Sequence, residues 1–122
     1  MSVRGIRGAV QAGENSRDAI ASATRSLMMA MVVANGIEPQ DIASAFLTST
    51  DDLNADFPAY AARQLPGWGK VPLLGAQEMA VPDAMPRVIR ILLHVNSDLG
   101  QGDICHVYLG ETAKLRPDLE QG

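Results

Sequence analysis

Four arginines are the side chains of this sequence best suited to a chemical role. Arg7 lies in the first apolar stretch, Arg63 follows an alanine-rich run, Arg90 lies within residues 85–95, and Arg116 is near the carboxyl end. An arginine stays charged in a protein, so a buried one needs a fixed anionic partner or an anionic ligand. Because the net charge of the chain is −4, any anionic ligand has to be met by a local cluster of these arginines.

Arg90 poses this question most sharply. It sits in a near-continuous apolar run that contains no acidic residue, and such a run is typical of a buried strand. Either Glu78 or Asp118 supplies an ion pair from elsewhere in the chain, or a ligand supplies the anion. Because side chains alternate across a strand, one face should carry Val88, Arg90 and Leu92, and the other Ile89, Ile91 and Leu93.

The sequence offers no competent nucleophile beside these arginines. Cys105 and His106 are adjacent, so on a strand their side chains point to opposite faces and cannot form a nucleophile–base pair. His94 stands near neither, and both histidines read as structural or solvated. Glu78 and Tyr108 are the polar groups expected to point inward, although an isolated Glu at a strand end is more often solvated. We find no serine nucleophile elbow, phosphate-binding loop or metal motif, and we expect neither a cofactor nor a metal.

Composition limits the class of protein. The 122 residues are 47% hydrophobic, 4% aromatic and 20% charged, which predicts one domain over residues 1–122 with an aliphatic core. The acidic balance argues against a nucleic-acid partner. A single cysteine and the lack of a signal-peptide or membrane-length apolar run predict a cytoplasmic protein without a membrane partner.

Apolar periodicity and turn residues predict alternating strands and helices, and therefore an α/β fold. Two glycines of the first strand, Gly5 and Gly8, indicate that something approaches its backbone closely. A long helix should begin after Asn15–Asp18 and end at Asn35–Gly36. One helical turn is expected at Glu38–Asp41, and Pro58 should open a short helix. The five predicted strands are Val3–Val10, Ile42–Thr50, Val71–Met79, the Arg90 strand within Met85–Val95, and Asp103–Leu109.

Six separated motifs point further. They are Arg4-Gly5-Ile6-Arg7-Gly8-Ala9, Phe57-Pro58-Ala59 before Arg63, Gln77-Glu78-Met79, Ile89-Arg90, His106-Val107-Tyr108-Leu109 and Leu115-Arg116-Pro117-Asp118-Leu119. From Val3 to Leu119 the chain resembles the small monofunctional bacterial chorismate mutases of the trimeric α/β type. The resemblance implies a mixed sheet with helices packed on it, assembled into a homotrimeric pseudo-α/β barrel. Active sites would lie in clefts between subunits and rearrange chorismate to prephenate.

The resemblance also implies roles for individual residues. Arg90, Arg7 and Glu78 would be the catalytic groups. Arg90 would stabilise the breaking ether oxygen, Arg7 would hold a carboxylate with Tyr108 nearby, and Glu78 would accept from the ring hydroxyl. The remaining substrate-binding positions would be the apolar walls Phe57, Ala59 and Leu115, the neighbouring Leu74 and Gly75, and the rim arginines Arg63 and Arg116.

Taken alone, Phe57 fits core packing better than a ligand wall, and Arg63 fits solvation better than ligand binding. The chain departs from the family pattern at Gly75, where a cysteine is common, and at Tyr60, where a lysine is common. Residues 115–122 are expected to form a mobile tail.

Two other functions fit parts of this pattern. A trimeric imine-hydrolysing deaminase also uses clefts between subunits with one carboxylate-binding arginine, but it needs a positioned water and not several converging arginines. A non-catalytic sensor of aromatic-pathway acids would bind the same anions without turnover.

Overall fold

The computed structural model describes residues 1–116, which fold around a five-stranded mixed sheet. The spatial order is β3-β2-β4-β1-β5. The central strand β4 is antiparallel to β1 and β2, whereas β3 and β5 lie at the edges, parallel to β2 and β1 respectively. The strands are β1 Ser2–Gln11, β2 Ile42–Ser49, β3 Leu73–Gln77, β4 Val88–Ser97 and β5 Val107–Tyr108. This arrangement confirms the predicted mixed α/β fold.

Two α-helices accompany the sheet, α1 at Arg17–Asn35 and α2 at Pro58–Arg63. The Ser16 hydroxyl accepts a hydrogen bond from the Ala19 N–H at 3.1 Å, which caps the first turn of α1. Gly36 ends the helix with φ 59°, a left-handed conformation that glycine adopts without strain. Single 3₁₀ segments follow at Pro39–Asp41, Trp68–Lys70, Gln101–Asp103 and Gly110–Leu115.

The core lies between one face of the sheet and the helices. Alternate residues of β4, Ile89, Ile91, Leu93 and Val95, are buried together with Leu27, Met28 and Met31 of α1. In the opposite set of alternate residues, Val88 is buried at the start of the strand, and the others stay partly exposed. We call this second set the open face; register places Phe46 opposite Leu92, Thr48 opposite Arg90 and Arg7 opposite Leu92. The predicted division of β4 into two faces is therefore confirmed.

Gly8 lets α1 approach β1. A Cβ atom built at Gly8 would lie 2.5 Å from Met31 Sδ and 3.0 Å from Leu27 Cδ1, closer than side chains pack. At Gly5 the nearest such atom is Leu92 Cδ1 at 3.7 Å. The predicted close approach is thus confirmed at Gly8, where helix α1 packs against the strand. It is wrong for Gly5, where the contact has an ordinary van der Waals distance.

The predicted last strand is largely wrong. Only Val107–Tyr108 of the expected Asp103–Leu109 pairs with β1. The cause is Asn35 at the end of α1: its Oδ1 accepts from the Cys105 N–H and its Nδ2 donates to the Cys105 carbonyl, both at 2.8 Å. A side-chain amide therefore takes the backbone groups that a longer strand would have used.

Both residues of β5, Val107 and Tyr108, are buried. The segment Gly110–Leu115, which ends at the first residue of the expected tail, is a 3₁₀ helix that folds back on β1. Its Thr112 hydroxyl donates to the Ala9 carbonyl at 3.0 Å. Residues 117–122, and with them Asp118 and most of the expected tail, lie outside the described residues.

The other strands match with shifted ends. β3 begins at Leu73 rather than Val71 and ends before Glu78, and β4 continues to Ser97. Across residues 1–116 no helix combines the length and apolar character needed to span a membrane.

Candidate active site

Arg90 and Glu78 form an ion pair on the open face. Arg90 lies in β4 opposite Thr48 of β2, and Glu78 follows β3, which pairs with the other side of β2. Arg90 Nε lies 3.2 Å from Glu78 Oε1, and the Thr48 hydroxyl donates a short hydrogen bond to Glu78 Oε2. The intrachain alternative considered for Arg90 is therefore present, with Glu78 as the partner.

The ion pair does not exhaust the donors of Arg90. Within residues 1–116 its buried Nε has no hydrogen-bond acceptor, because the approach to Glu78 lacks hydrogen-bond geometry. The side chain is nevertheless 40% exposed, so solvent reaches part of it. An arginine has five N–H donors, and Nε faces Glu78, so the exposed part of the guanidinium can receive an anionic or electron-rich oxygen from a ligand.

Arg7 lines a cleft at the other end of the open face. The cleft has a volume of about 420 Å³ and is lined by Arg4, Gly5, Arg7, Leu92, Gln101, Ile104 and His106. His106 Nδ1 accepts a hydrogen bond from the Arg7 backbone N–H at 3.0 Å. Burial, and then the charges of Arg7 and Arg116, hold the pKa of His106 below its usual value of 6.5. Two arginines lining one cleft suit a carboxylate.

A larger cleft of about 870 Å³ lies between α2, β3 and residues 49–57. Phe57, Ala59, Arg63, Leu74 and Gly75 all line it. Phe57 is 77% exposed, so the core-packing interpretation of this residue is wrong. The apolar walls are present, and Arg63 stays exposed with its guanidinium carbon 6.0 Å from the Tyr60 ring centroid.

This α2 cleft is tied to the start of α1. The Asn15 side-chain oxygen accepts from the backbone N–H groups of Asn54 and Ala55, at 3.1 and 3.0 Å, and its nitrogen donates to Asn54 Oδ1 at 2.8 Å. Arg17 pairs with Asp56 at 3.6 Å. These contacts hold the segment that leads into Phe57.

The remaining predicted residues lie in β5 and the segment that follows it. Tyr108 is buried beside Ala9 of β1. Leu115 ends the 3₁₀ segment, and both it and Arg116 are half-buried. Arg116 lies close enough to His106 to lower its pKa.

One chain thus brings the predicted residues together in groups and not in a single pocket. The groups are the Arg90–Glu78 pair, the Arg7 cleft and the α2 cleft; the described residues that line the α2 cleft do not include Arg7, Glu78 or Arg90. Sequence reasoning missed Thr48, and it treated His106 as merely structural. The alternation of β2 could have placed Thr48 on the face of Arg90, but only once the pairing of the two strands was known.

The comparisons with known proteins agree with one another. Residues 3–119 match the family described as chorismate mutase type I. The chain is 50% identical over 119 residues to chorismate mutase AroH of Thermus thermophilus, covering 97% of both chains. It is 40% identical over 119 residues to chorismate mutase AroH of Bacillus subtilis strain 168, covering 98% of this chain and 94% of the relative. A solved chorismate mutase from Clostridium thermocellum superposes with a TM-score of 0.87 at 41% identity, covering 90% of this chain and 97% of that one.

Proposed function

The chain belongs to the chorismate mutase type I family, and from this premise we propose how it rearranges chorismate to prephenate. The reaction is a [3,3] rearrangement: one carbon–oxygen bond breaks while one carbon–carbon bond forms within the same molecule. No proton or group is transferred to the protein. The protein therefore has to select the compact reactive conformer and stabilise the charge that develops in the transition state.

The Arg90 geometry is the observation that carries this proposal. Glu78 Oε1 lies 3.2 Å from its buried Nε and so holds the guanidinium from one side, while the side chain stays 40% exposed. A donor fixed in this way stabilises negative charge on the ether oxygen as the bond breaks, and no reorganisation is needed at that moment. Since the guanidinium is planar and two-pronged, it can touch a substrate carboxylate at the same time.

The other groups bind and orient the dianion. Arg7, beside Arg4 in the 420 Å³ cleft, holds a carboxylate, with Tyr108 nearby. Glu78 accepts from the ring hydroxyl, because a carboxylate has lone pairs to spare after its contacts with Thr48 and Arg90. Arg116 acts from the rim, and Leu115 adds an apolar wall.

The α2 cleft supplies the second wall of the site from a neighbouring subunit of a homotrimer. Its residues Phe57, Ala59, Arg63 and Leu74 lie apart from Arg90 within one chain, and Leu74 is 60% exposed. The open face adds Phe46, which is 39% exposed. Exposed apolar side chains next to charged site residues favour an interface that completes the site. Gly75 leaves space in this wall, since a Cβ atom there would meet only the Leu47 carbonyl at 3.7 Å.

The reaction redistributes electrons within one molecule, so it needs no cofactor or metal. We place the enzyme in the cytoplasm. The single cysteine of the chain fits a reducing compartment.

The direct test is the disappearance of chorismate absorbance with the purified protein and its Arg90→Ala variant. We expect turnover by the wild type, with prephenate as the product. The variant should lose about 10²- to 10³-fold or more in kcat/KM, because a preorganised donor to the transition state is gone. Prephenate binding, measured by calorimetry, should weaken far less.

The matched control is Arg25→Ala, which removes an exposed arginine of α1 and should leave kcat/KM unchanged. Equal losses of turnover and prephenate binding in Arg90→Ala would contradict the role given to Arg90. Tight prephenate binding without turnover by the wild type would favour the sensor, and hydrolysis of an imine substrate would favour the deaminase.

A further inference from the structure

The hydrogen-bond ladder between β1 and β5 ends on a side chain. β5 pairs with β1 only at Gly8–Val107 and Ala9–Tyr108. One residue before Gly8 on β1, His106 Nδ1 accepts a hydrogen bond from the Arg7 N–H at 3.0 Å. The imidazole therefore stands where a longer β5 would have placed a backbone carbonyl. Arg7 is the last residue of β1 held from this side before the cleft that it lines.

This contact requires one form of the ring. A neutral imidazole has one donor nitrogen and one acceptor nitrogen, so acceptance at Nδ1 assigns the proton to Nε2. An imidazolium has no acceptor and would turn an N–H toward the Arg7 N–H. Burial and the nearby arginine charges lower the pKa of His106, and both causes favour the neutral form at neutral pH.

We propose that His106 is the positioning residue for Arg7: its neutral ring fixes the Arg7 backbone and thereby the direction of the guanidinium toward the substrate carboxylate. This inference rests on the proposed role of Arg7. It gives the enzyme a pH dependence in the acid range, although the rearrangement itself transfers no proton. The ring does not touch the reacting atoms.

The charges around the ring decide what protonation would do. Arg4 and Arg7 of β1 line the cleft with His106, and Arg116 approaches from the segment after Gly110–Leu115. The described residues that line this cleft include no carboxylate. A protonated ring would lose the Arg7 hydrogen bond, but it would also add a positive charge that attracts a dianion. The two effects have opposite signs, so experiment can separate them.

The test measures kcat and KM for chorismate between pH 5 and pH 8 in the wild type, His106→Asn and His106→Leu. Asparagine places an amide oxygen near the position of Nδ1 and does not titrate. Wild-type kcat/KM should fall as the pH drops below 6.5 and the ring is protonated. His106→Asn should lie within about threefold of the wild type at pH 8 and lack this fall. His106→Leu should lose about tenfold at pH 8, mainly through KM, because one hydrogen bond is gone.

Two results would overturn the proposal. A His106→Asn variant whose kcat/KM falls in acid as the wild type's does would mean that a group other than this ring causes the fall. A His106→Leu variant with wild-type KM would show that Arg7 needs no such support.

A second readout does not depend on activity. In ¹H–¹⁵N spectra of the wild type, the Arg7 amide resonance should follow the titration of the His106 ring. An Arg7 amide that ignores the ring titration refutes the contact itself. Absence of wild-type turnover at pH 8 would instead refute the proposed function, and the amide titration would still test the contact.

Discussion

The Thr48 hydroxyl determines how Glu78 can serve Arg90. Glu78 lies one residue beyond β3, where a side chain is otherwise free to rotate into solvent. Thr48 donates to Oε2, which leaves Oε1 directed at Arg90 Nε. The charge pair is partly exposed, so its contribution to stability is small. Its importance lies in orienting the guanidinium.

Thr48→Val therefore should reduce activity more than stability. Valine has nearly the shape of threonine but no hydroxyl, so Glu78 loses the donor that fixes its rotamer. We expect kcat to fall about 10- to 150-fold, the equivalent of one hydrogen bond to a charged group, with little change in Tm. Steady-state kinetics and thermal denaturation measure the two effects.

Thr48→Ser is the matched variant, since it keeps the hydroxyl and removes only the methyl group. It should retain most of the wild-type kcat. If serine loses as much activity as valine, the methyl contact and not the hydrogen bond is responsible.

At this scale the sequence could identify charged residues but not how they are held. Arg90 stands out because its run contains no acid, and Glu78 is one of two carboxylates considered for it. Thr48 depends on the register between β2 and β4, which brings together residues 42 positions apart. His106 depends likewise on how far β5 pairs with β1. Local sequence patterns encode neither the register of β2 and β4 nor the extent of the β5–β1 pairing.

The packing of α1 on β1 passes through Gly8. Gly8→Ala would place a methyl group 2.5 Å from Met31 Sδ, and Met31 and Leu27, which are both fully buried, would have to shift within the core. We expect a loss of about 1–3 kcal/mol in the free energy of unfolding, the usual cost of overpacking. Chemical denaturation monitored by circular dichroism measures it.

Gly5→Ala is the control on the same strand. Its methyl group meets no atom closer than 3.7 Å, so stability should be unchanged or increase by up to about 1 kcal/mol, because alanine is less flexible in the unfolded chain. Equal destabilisation by the two changes would show that glycine serves the strand backbone at both positions and not helix packing at one.

Elements with strong local signals could be predicted. The Ser16 cap, the Gly36 stop and the alternation in β1 and β4 each act within a few residues. β5 could not, because its length is limited by Asn35, a residue 70 positions away from Cys105. The 3₁₀ segment Gly110–Leu115 was missed for a similar reason, since Thr112 is held by the Ala9 carbonyl.

At the scale of the whole molecule, the proposed site needs two chains, and complementation can test this. Arg90→Ala and Arg63→Ala damage different walls. When the two variants are unfolded together and refolded as mixed trimers, each site should draw one wall from each neighbour. Random assortment gives about one quarter of sites with both arginines intact, so activity should recover to about that fraction of the wild type. Chorismate turnover before and after mixing measures it.

Refolding each variant alone controls for the procedure and should restore no activity. If the mixture is no more active than the two variants separately, both arginines belong to the same wall or the sites are not shared. Sedimentation of the mixture establishes that trimers have formed.

The sequence could indicate this assembly only through family resemblance. From residue type alone, Phe57 and Phe46 would be assigned to the core, but both are exposed in the fold. Local periodicity reports that a face is apolar, but not whether a helix or another subunit covers it.

The Asn35 contact also bears on how the protein ages. Asn35-Gly36 is a sequence prone to deamidation, in which the glycine nitrogen attacks the side-chain amide carbon to form a succinimide. Here both atoms of the Asn35 amide are held by Cys105, and the Gly36 N–H donates to carbonyls of the last helical turn. The amide cannot turn toward that nitrogen while α1 keeps its cap. Chemical damage at this site should therefore accumulate in proportion to the fraction of time that the helix end is open.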